Sequence, residues 1–382
     1  MIHRSHGRLG RKEFLSRSGR SLCLLALGGL ACNGCSDGYG RSDKDFYVKP
    51  AKMWKRLGGS VVQCMLCPNG CQLNEDERGI CRVRQNVRGS LYSLIYSRIA
   101  ASHVDPIEKK PMFHFLPGST AFSIATAGCN ISCKFCQNWQ LSQVNPEDID
   151  AERITPEDLA ARAHASHSPV IAYTYNEPTV QFEYILDASA VARARGLRSI
   201  IISNGYIMPE AGRMLAASLD AIKVDLKGFT ENFYSSICGG RLKPVLDNLV
   251  SLRPAVKWLE LVILVIPTLN DSPGEIKKMA VWVRKNLSPD VPMHFTRFHA
   301  LYRLQNLPPT PVETLERCRT IAREEGIRYA YVGNVPGHRW ENTYCHSCEK
   351  MIIQRSGFYH VENGIKSGSC PYCGTRIPGV WA

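Results

Sequence analysis

The chain has 382 residues, 44% of them apolar, which is enough to bury a sizeable core and excludes a disordered polypeptide. The net charge is +13; the first 20 residues supply +5 of it, from six basic residues and one acid, and no compact basic run with interleaved aromatics disposes the remainder toward nucleic acid. Sixteen cysteines would suit a secreted disulfide scaffold, but eleven fall in three groups built mostly from two- or three-residue gaps, which is metal-ligand spacing and implies a core folded in reducing surroundings.

In chain order, residues 1–50 read as a signal-like or linker extension. Ser21 to Cys32 is a mostly apolar run, too short to span a membrane and of the length of a signal h-region. Arg11-Lys12-Glu13-Phe14-Leu15 resembles an Arg-Lys variant of a twin-arginine export signal. Two locations therefore stay open: export, with membrane association through the N-terminus, or the cytoplasm with an uncleaved extension. Cys32 and Cys35 have metal-type spacing, but one pair in such a segment is weak evidence for a site, and Cys23 has no partner.

Residues 51–115 form a Cys-rich unit. Cys64, Cys67, Cys71 and Cys81 have the spacing C-x2-C-x3-C-x9-C. Four thiolates could close a structural zinc site or hold a second cluster; zinc is the starting expectation.

Residues 116–338 alternate short β-branched runs with amphipathic segments. The predicted strands are Ala121–Ala127, Val170–Tyr175, Ser199–Ser203, Ala221–Leu226, Leu259–Ile266, Met293–Phe298 and Arg328–Val332. The predicted helices are Pro156–His167, Val180–Arg195, Pro209–Ser218, Leu242–Leu252, Pro273–Leu287 and Val312–Glu325. This alternation implies an α/β fold with a parallel sheet, rolled into a full or partial TIM-type barrel whose chemistry sits at the C-terminal strand ends.

The first of these strands runs into Gly128-Cys129-Asn130-Ile131-Ser132-Cys133-Lys134-Phe135-Cys136. Three cysteines spaced C-x3-C-x2-C can ligate three irons of a [4Fe–4S] cubane and leave the fourth open; the competing reading is a zinc site lacking its fourth ligand. Residues 339–382 form the tail. In it Cys345 and Cys348 pair with Cys370 and Cys373 as two C-x2-C knuckles, the pattern of a zinc ribbon. Cys318 reads as an ordinary thiol and Cys238 as a weak candidate for a substrate-side thiol.

The triplet in this setting resembles the radical S-adenosylmethionine (radical SAM) superfamily. That resemblance implies a cluster whose open iron takes S-adenosylmethionine and whose electron generates a 5′-deoxyadenosyl radical. It also implies cofactor contacts at the strand ends: Glu177 for the ammonium, Ser203 and Asn204 for the ribose or carboxylate, Asp225 and Lys227 as an Asp-x-Lys pair, and His299 near the ribose. Phe135 is expected against the adenine. Glu177 departs from the superfamily's Gly-Gly-Glu, since Asn176 precedes it.

Taken with Val62 to Pro68, Asp105 to Pro111, Tyr173 to Pro178, His294 to His299 and Tyr331 to Gly337, the whole of about residues 60–380 resembles the AmmeMemoRadiSam radical SAM enzymes, relatives of pyruvate formate-lyase activating enzymes. The resemblance implies a low-potential electron donor such as flavodoxin or ferredoxin, Memo-like and AMMECR-like proteins as partners, and Asp105 to Lys110 with Arg297 facing the substrate. Three functions follow as expectations: hydrogen abstraction from an unidentified substrate, glycyl-radical installation on a partner enzyme, or an electron-transfer or RNA-binding module without turnover.

Overall fold

The computed structural model describes residues 47–382, which belong to one compact unit. The signal-like run, Arg11-Lys12, Cys23, Cys32 and Cys35 lie outside the described residues. Among those described, no helix is long and apolar enough to cross a membrane.

The centre is an eight-stranded sheet, in strictly sequential order. Its strands are β1 (Ala101–Pro106), β2 (Thr120–Ala125), β3 (Val170–Tyr173), β4 (Arg198–Ser203), β5 (Ala221–Asp225), β6 (Trp258–Val265), β7 (Met293–Arg297) and β8 (Ala330–Gly333). From β2 onward every neighbouring pair is parallel; β1 pairs antiparallel with β2. No ladder joins β1 to β8 among the described residues, so the sheet stays open.

The crossovers carry α1 (Pro156–Ala165), α2 (Phe182–Ala194), α3 (Pro209–Ser218), α4 (Leu242–Leu252), α5 (Pro273–Asn286) and α6 (Val312–Glu324). The seven strands and six helices predicted from the sequence are all present, with ends shifted by at most two residues. β1 was not predicted. Its run Ala-Ser-His-Val-Asp-Pro is half-solvated, the pattern of an edge strand, and it carries the sheet back into the segment 51–115.

Local chemistry starts the helices where they start. Thr155 caps α1, accepting from the Asp158 amide at 3.2 Å, while Asp158 accepts from the Thr155 amide at 3.3 Å, and Pro156 holds the first position. Ser272 caps α5, accepting from the Glu275 amide at 3.2 Å, with Pro273 at the first position. Such a cap contributes about 1 kcal/mol. The parallel strands are buried on both faces, as in the all-buried Val-Ile-Ala-Tyr of β3.

One charge lies deep in that core. The fully buried Glu260 of β6 accepts from the amides of Phe113 (3.0 Å) and His114 (2.8 Å), from Trp258 Nε1 (2.9 Å), and pairs with His294 Nε2 (2.7 Å). Every oxygen is satisfied, which is the condition for burying a carboxylate.

The tail is sewn to the barrel. Ile352, Ile353 and Ile377 pack with Phe113, Tyr329 and Tyr331. Buried Arg355 donates to the Phe113 carbonyl (2.8 Å), the Glu341 carbonyl (3.1 Å) and Thr343 Oγ1 (2.8 Å), and its guanidinium lies 4.1 Å over the Phe113 ring.

Candidate active site

A cavity of about 580 Å³ opens at the C-terminal ends of β3 to β7 and is lined by Cys129, Cys133 and Cys136. Its volume lies in the range of small-molecule and cofactor sites.

The cysteine loop follows β2 and is fastened on three sides. Gly128 has φ of +93°, and a Cβ there would stand 2.6 Å from the Cys81 carbonyl oxygen, so only glycine fits. Asn176 Nδ2 donates to the Gly128 carbonyl (2.9 Å) and Asn130 Nδ2 to the Tyr206 carbonyl (2.6 Å). The amides of Ser132 and Lys134 donate to the carbonyls of Cys238 and Ile237, both at 2.9 Å. Those acceptors belong to a π-helical turn, Tyr234–Cys238, a geometry common at functional sites.

Cys238 is fully buried behind the loop and does not line the cavity, so the substrate-side reading of this thiol is corrected. Its hydrogen bond is the main influence lowering the Cys133 thiol, whereas burial pushes Cys129 and Cys136 up.

The strand ends bring charge to the same space. On β5, Asp225 accepts from Lys223 and, at 3.4 Å, from Lys227 Nζ. Burial favours the neutral acid, but the two ammonium groups outweigh it and hold the Asp225 carboxyl below its ordinary value. Lys227 Nζ stands 5.7 Å from the centre of the Phe135 ring. Phe135, Asn204, Asp225 and Lys227 thus converge on the cavity as expected from the sequence. Lys223 joins them and was missed. Its position was legible, because residues two apart on a strand share a face, and Lys223 and Asp225 are such a pair.

Glu177 also lines the cavity, but its oxygens are occupied. Oε1 accepts from the Thr179 amide (3.0 Å), Ser203 Oγ (2.7 Å) and the Thr179 hydroxyl, and Oε2 from the Asn204 amide (2.7 Å). The carboxylate is a bracket between the ends of β3 and β4. Ser203 belongs to that bracket and lies behind the cavity wall. Asn204 is freer: its Nδ2 donates to Asn130 Oδ1 (2.8 Å) and lies 3.8 Å from Cys129 Sγ.

His299 stands apart. β7 ends at Arg297, Thr296 takes the inward place at the cavity, and His299 falls on the exposed chain beyond. Arg297 is likewise turned away, donating through Nε to the Thr310 carbonyl at 3.0 Å.

The segment after β1 does reach the mouth. Lys109, Lys110 and Tyr175 line the cavity. Asp105 behind them accepts from Lys109 at 2.8 Å and from Lys110 and Tyr175. Burial works against ionisation of Asp105, but these hydrogen bonds hold its carboxyl well below the usual range; burial pulls Lys110 down to about 8. From the other end of the chain Phe358, at the turn of the tail hairpin Met351–Ser356 and His360–Asn363, supplies a further wall residue. No sequence pattern marked it.

Two further cysteine groups flank the barrel. Cys345, Cys348, Cys370 and Cys373 have all four sulfurs within 4.8 Å of one another, with Cys345 to Cys373 and Cys348 to Cys370 both at 3.7 Å. Tetrahedral thiolates around one ion at about 2.3 Å stand nearly that far apart, so this set fits a single metal ion. Among the described residues no other three potential ligands meet that closeness. The Cys129 triplet is therefore wider than one ion allows and suits a cubane, whose irons separate their thiolates. The Cys64 group is wide in the same sense.

A sequence model of the radical SAM superfamily matches residues 123–280. A protein of Methanocaldococcus jannaschii, uncharacterized protein MJ0808, is 40% identical over 332 residues, covering 86% of this chain and 99% of its own. Uncharacterized protein MJ0674 of the same organism is 25% identical over 303 residues, 75% of this chain and 82% of its own. The pyruvate formate-lyase-activating enzyme of Clostridium pasteurianum is 24% identical over 180 residues, 46% of this chain and 73% of its own. With a parallel sheet delivering a C-x3-C-x2-C loop to a cavity at its strand ends, the chain belongs to the radical SAM superfamily.

Proposed function

We propose that this enzyme cleaves S-adenosylmethionine reductively at a [4Fe–4S] cluster held by Cys129, Cys133 and Cys136, and abstracts hydrogen from a substrate bound at the mouth of the cavity. When bound, the cluster supplies one electron and the cofactor the 5′-deoxyadenosyl radical. The observation that carries this reading is the wide three-thiol loop facing Phe135, Asn204, Asp225 and Lys227 across one cavity.

The chain's own residues bind and orient. The Lys223-Asp225-Lys227 row offers ammonium groups to a carboxylate and a carboxylate to an ammonium or ribose hydroxyl. Phe135 offers a ring face to the adenine. The Glu177 bracket fixes the loop carrying Asn204 beside the cluster. Lys109 and Lys110 give the mouth a positive side that favours an anionic substrate.

The test is anaerobic reconstitution followed by dithionite. Formation of 5′-deoxyadenosine and methionine is expected; a fully loaded protein that cleaves no S-adenosylmethionine would end this reading. The similarity to the Clostridium activating enzyme favours a second reading, glycyl-radical installation on a partner. A glycyl doublet in the electron spin resonance spectrum of a mixture with the partner would select it. Beside these stand a flavodoxin- or ferredoxin-type donor, Memo-like and AMMECR-like partners, and zinc at Cys345, Cys348, Cys370 and Cys373.

A further inference from the structure

We infer that Cys64, Cys67, Cys71 and Cys81 hold a second iron–sulfur cluster, seated against the loop of the first, through which the electron for the first passes. This role rests on the proposed function; the site itself does not. Zinc was the starting expectation for these four thiols, and their geometry points away from it.

A single zinc ion at about 2.3 Å from each sulfur draws four thiolates to within about 3.8 Å of one another. The tail group comes close to that condition, with all four sulfurs within 4.8 Å of one another and two pairs at 3.7 Å, whereas among the described residues no three sulfurs of the Cys64 group lie within 4.8 Å of one another. Yet these four thiols gather around one space, with Cys67 in electrostatic reach of Cys64, Cys71 and Cys81. Cys71 Sγ and Cys81 Sγ lie 3.5 and 3.7 Å from the place a Cβ on Gly79 would take, and Cys64 and Cys81 are buried. A cubane fills such a space with iron and sulfide and holds its thiolates farther apart than one ion can.

Arg84 is only 1% exposed and lies beside the group, with Nη1 4.0 Å from Cys64 Sγ. Its Nη2 pairs with buried Glu183, and its Nε has no partner. A buried guanidinium facing a sulfur is the kind of hydrogen-bonding, charge-offsetting neighbour that tunes the potential of a negatively charged cluster.

The Cys81 carbonyl oxygen lies 2.6 Å from where a Cβ on Gly128 would stand, one residue before Cys129. Asn69, between Cys67 and Cys71, donates through Nδ2 to the Asn130 carbonyl at 2.7 Å. The two ligand loops touch, backbone against backbone, and a second cavity lined by Cys64 and Cys67 reaches the outer group from the side of Met208 and Arg241. The electron bookkeeping is simple. One electron leaves a low-potential one-electron donor protein, reduces the outer cluster and moves to the inner one. The donor ends oxidised by one, the inner centre reduced by one, and the outer centre restored.

The experiment uses the full chain, purified and reconstituted without oxygen. We expect roughly eight irons and one zinc per chain, from two cubanes and one four-thiolate ion. About four irons and two zincs overturn the proposal. The triple variant Cys129→Ala/Cys133→Ala/Cys136→Ala should keep half the iron, with a reduced electron spin resonance signal that ignores added S-adenosylmethionine. If it loses all its iron, the outer cluster is refuted while the proposed function stands. The variant Cys64→Ala/Cys67→Ala should keep an inner signal that shifts with S-adenosylmethionine; an unresponsive signal there strikes the proposed function instead. Where that double variant fails to fold, the triple variant carries the test. In the fully reduced wild type the two signals should broaden each other, and two independent signals would overturn the relay.

Discussion

The two four-cysteine groups at either end of the described chain look alike in sequence and differ in space. The tail set has all four sulfurs within 4.8 Å of one another and two pairs at 3.7 Å, whereas no three sulfurs of the set from Cys64 to Cys81 come within 4.8 Å of one another. Their surroundings differ too. The tail site packs on isoleucines and tyrosines, while the outer site has a buried Arg84–Glu183 pair at its side and the Cys129 loop against its back. Spacing along a chain therefore says that thiols will gather; only the fold says around what.

The largest effect that would sharpen this contrast is at the tail. Cys370→Ser should release the tail metal and unfold the hairpin around it, since apparent zinc affinities in small sites are worth on the order of 10 kcal/mol of folding. Zinc analysis with amide exchange over 343–377 would show it, and iron content should not change. Next comes Cys133→Ala. It should reduce S-adenosylmethionine cleavage to background, a loss of about 10⁶-fold on the usual scale of enzymatic acceleration, read by product formation. A variant with zinc intact but iron gone at this site confirms that the wide and tight groups load independently.

Smaller effects probe the neighbours. Glu183→Gln leaves the Arg84 charge buried without its partner and should cost about 3–5 kcal/mol in denaturant unfolding. If the outer group is the cluster inferred above, this variant should also shift that cluster's reduction potential and leave the metal content of the tail site unchanged.

Lys110 supplies a pH signature. Its folded value of about 8 lies below the ordinary 10.5, so between these values the unfolded chain binds more protons and stability rises with pH. Lys110→Met should flatten that rise in thermal melts taken from pH 7.5 to 10.5. The smallest expected effect is Phe358→Ala, which should raise KM for the substrate a few-fold, worth about 1 kcal/mol or less, with the metal content of all three sites unchanged.

Much of the barrel was legible because parallel strands and crossover helices differ in period. Val170–Tyr173 and Leu242–Leu252 could be read directly from burial pattern. The cysteine loop was legible from its spacing together with the resemblance to the radical SAM superfamily, and Asp225 with Lys227 as the Asp-x-Lys pair that resemblance implies. The edge strand β1 was hidden because Ser102, His103 and Asp105 face a polar environment that no local rule separates from a loop. Glu177 was found as a cavity residue, but its four internal hydrogen-bond donors come from three positions that meet only after folding. His299 was misplaced because a strand ending two residues earlier moves its side chain from the interior to solvent. Phe358 and Cys238 reach the site by long-range packing, which short motifs do not encode.

The position of Phe358 has a temporal meaning. Of the side chains around the cavity it is the last to leave the ribosome, after a gap of more than twenty residues from Asn334. The cavity wall is therefore complete only once the chain has been made past Phe358 and the tail has docked through Arg355. A chain that stopped before the tail hairpin would have every ligand of the cysteine loop and yet lack this wall residue.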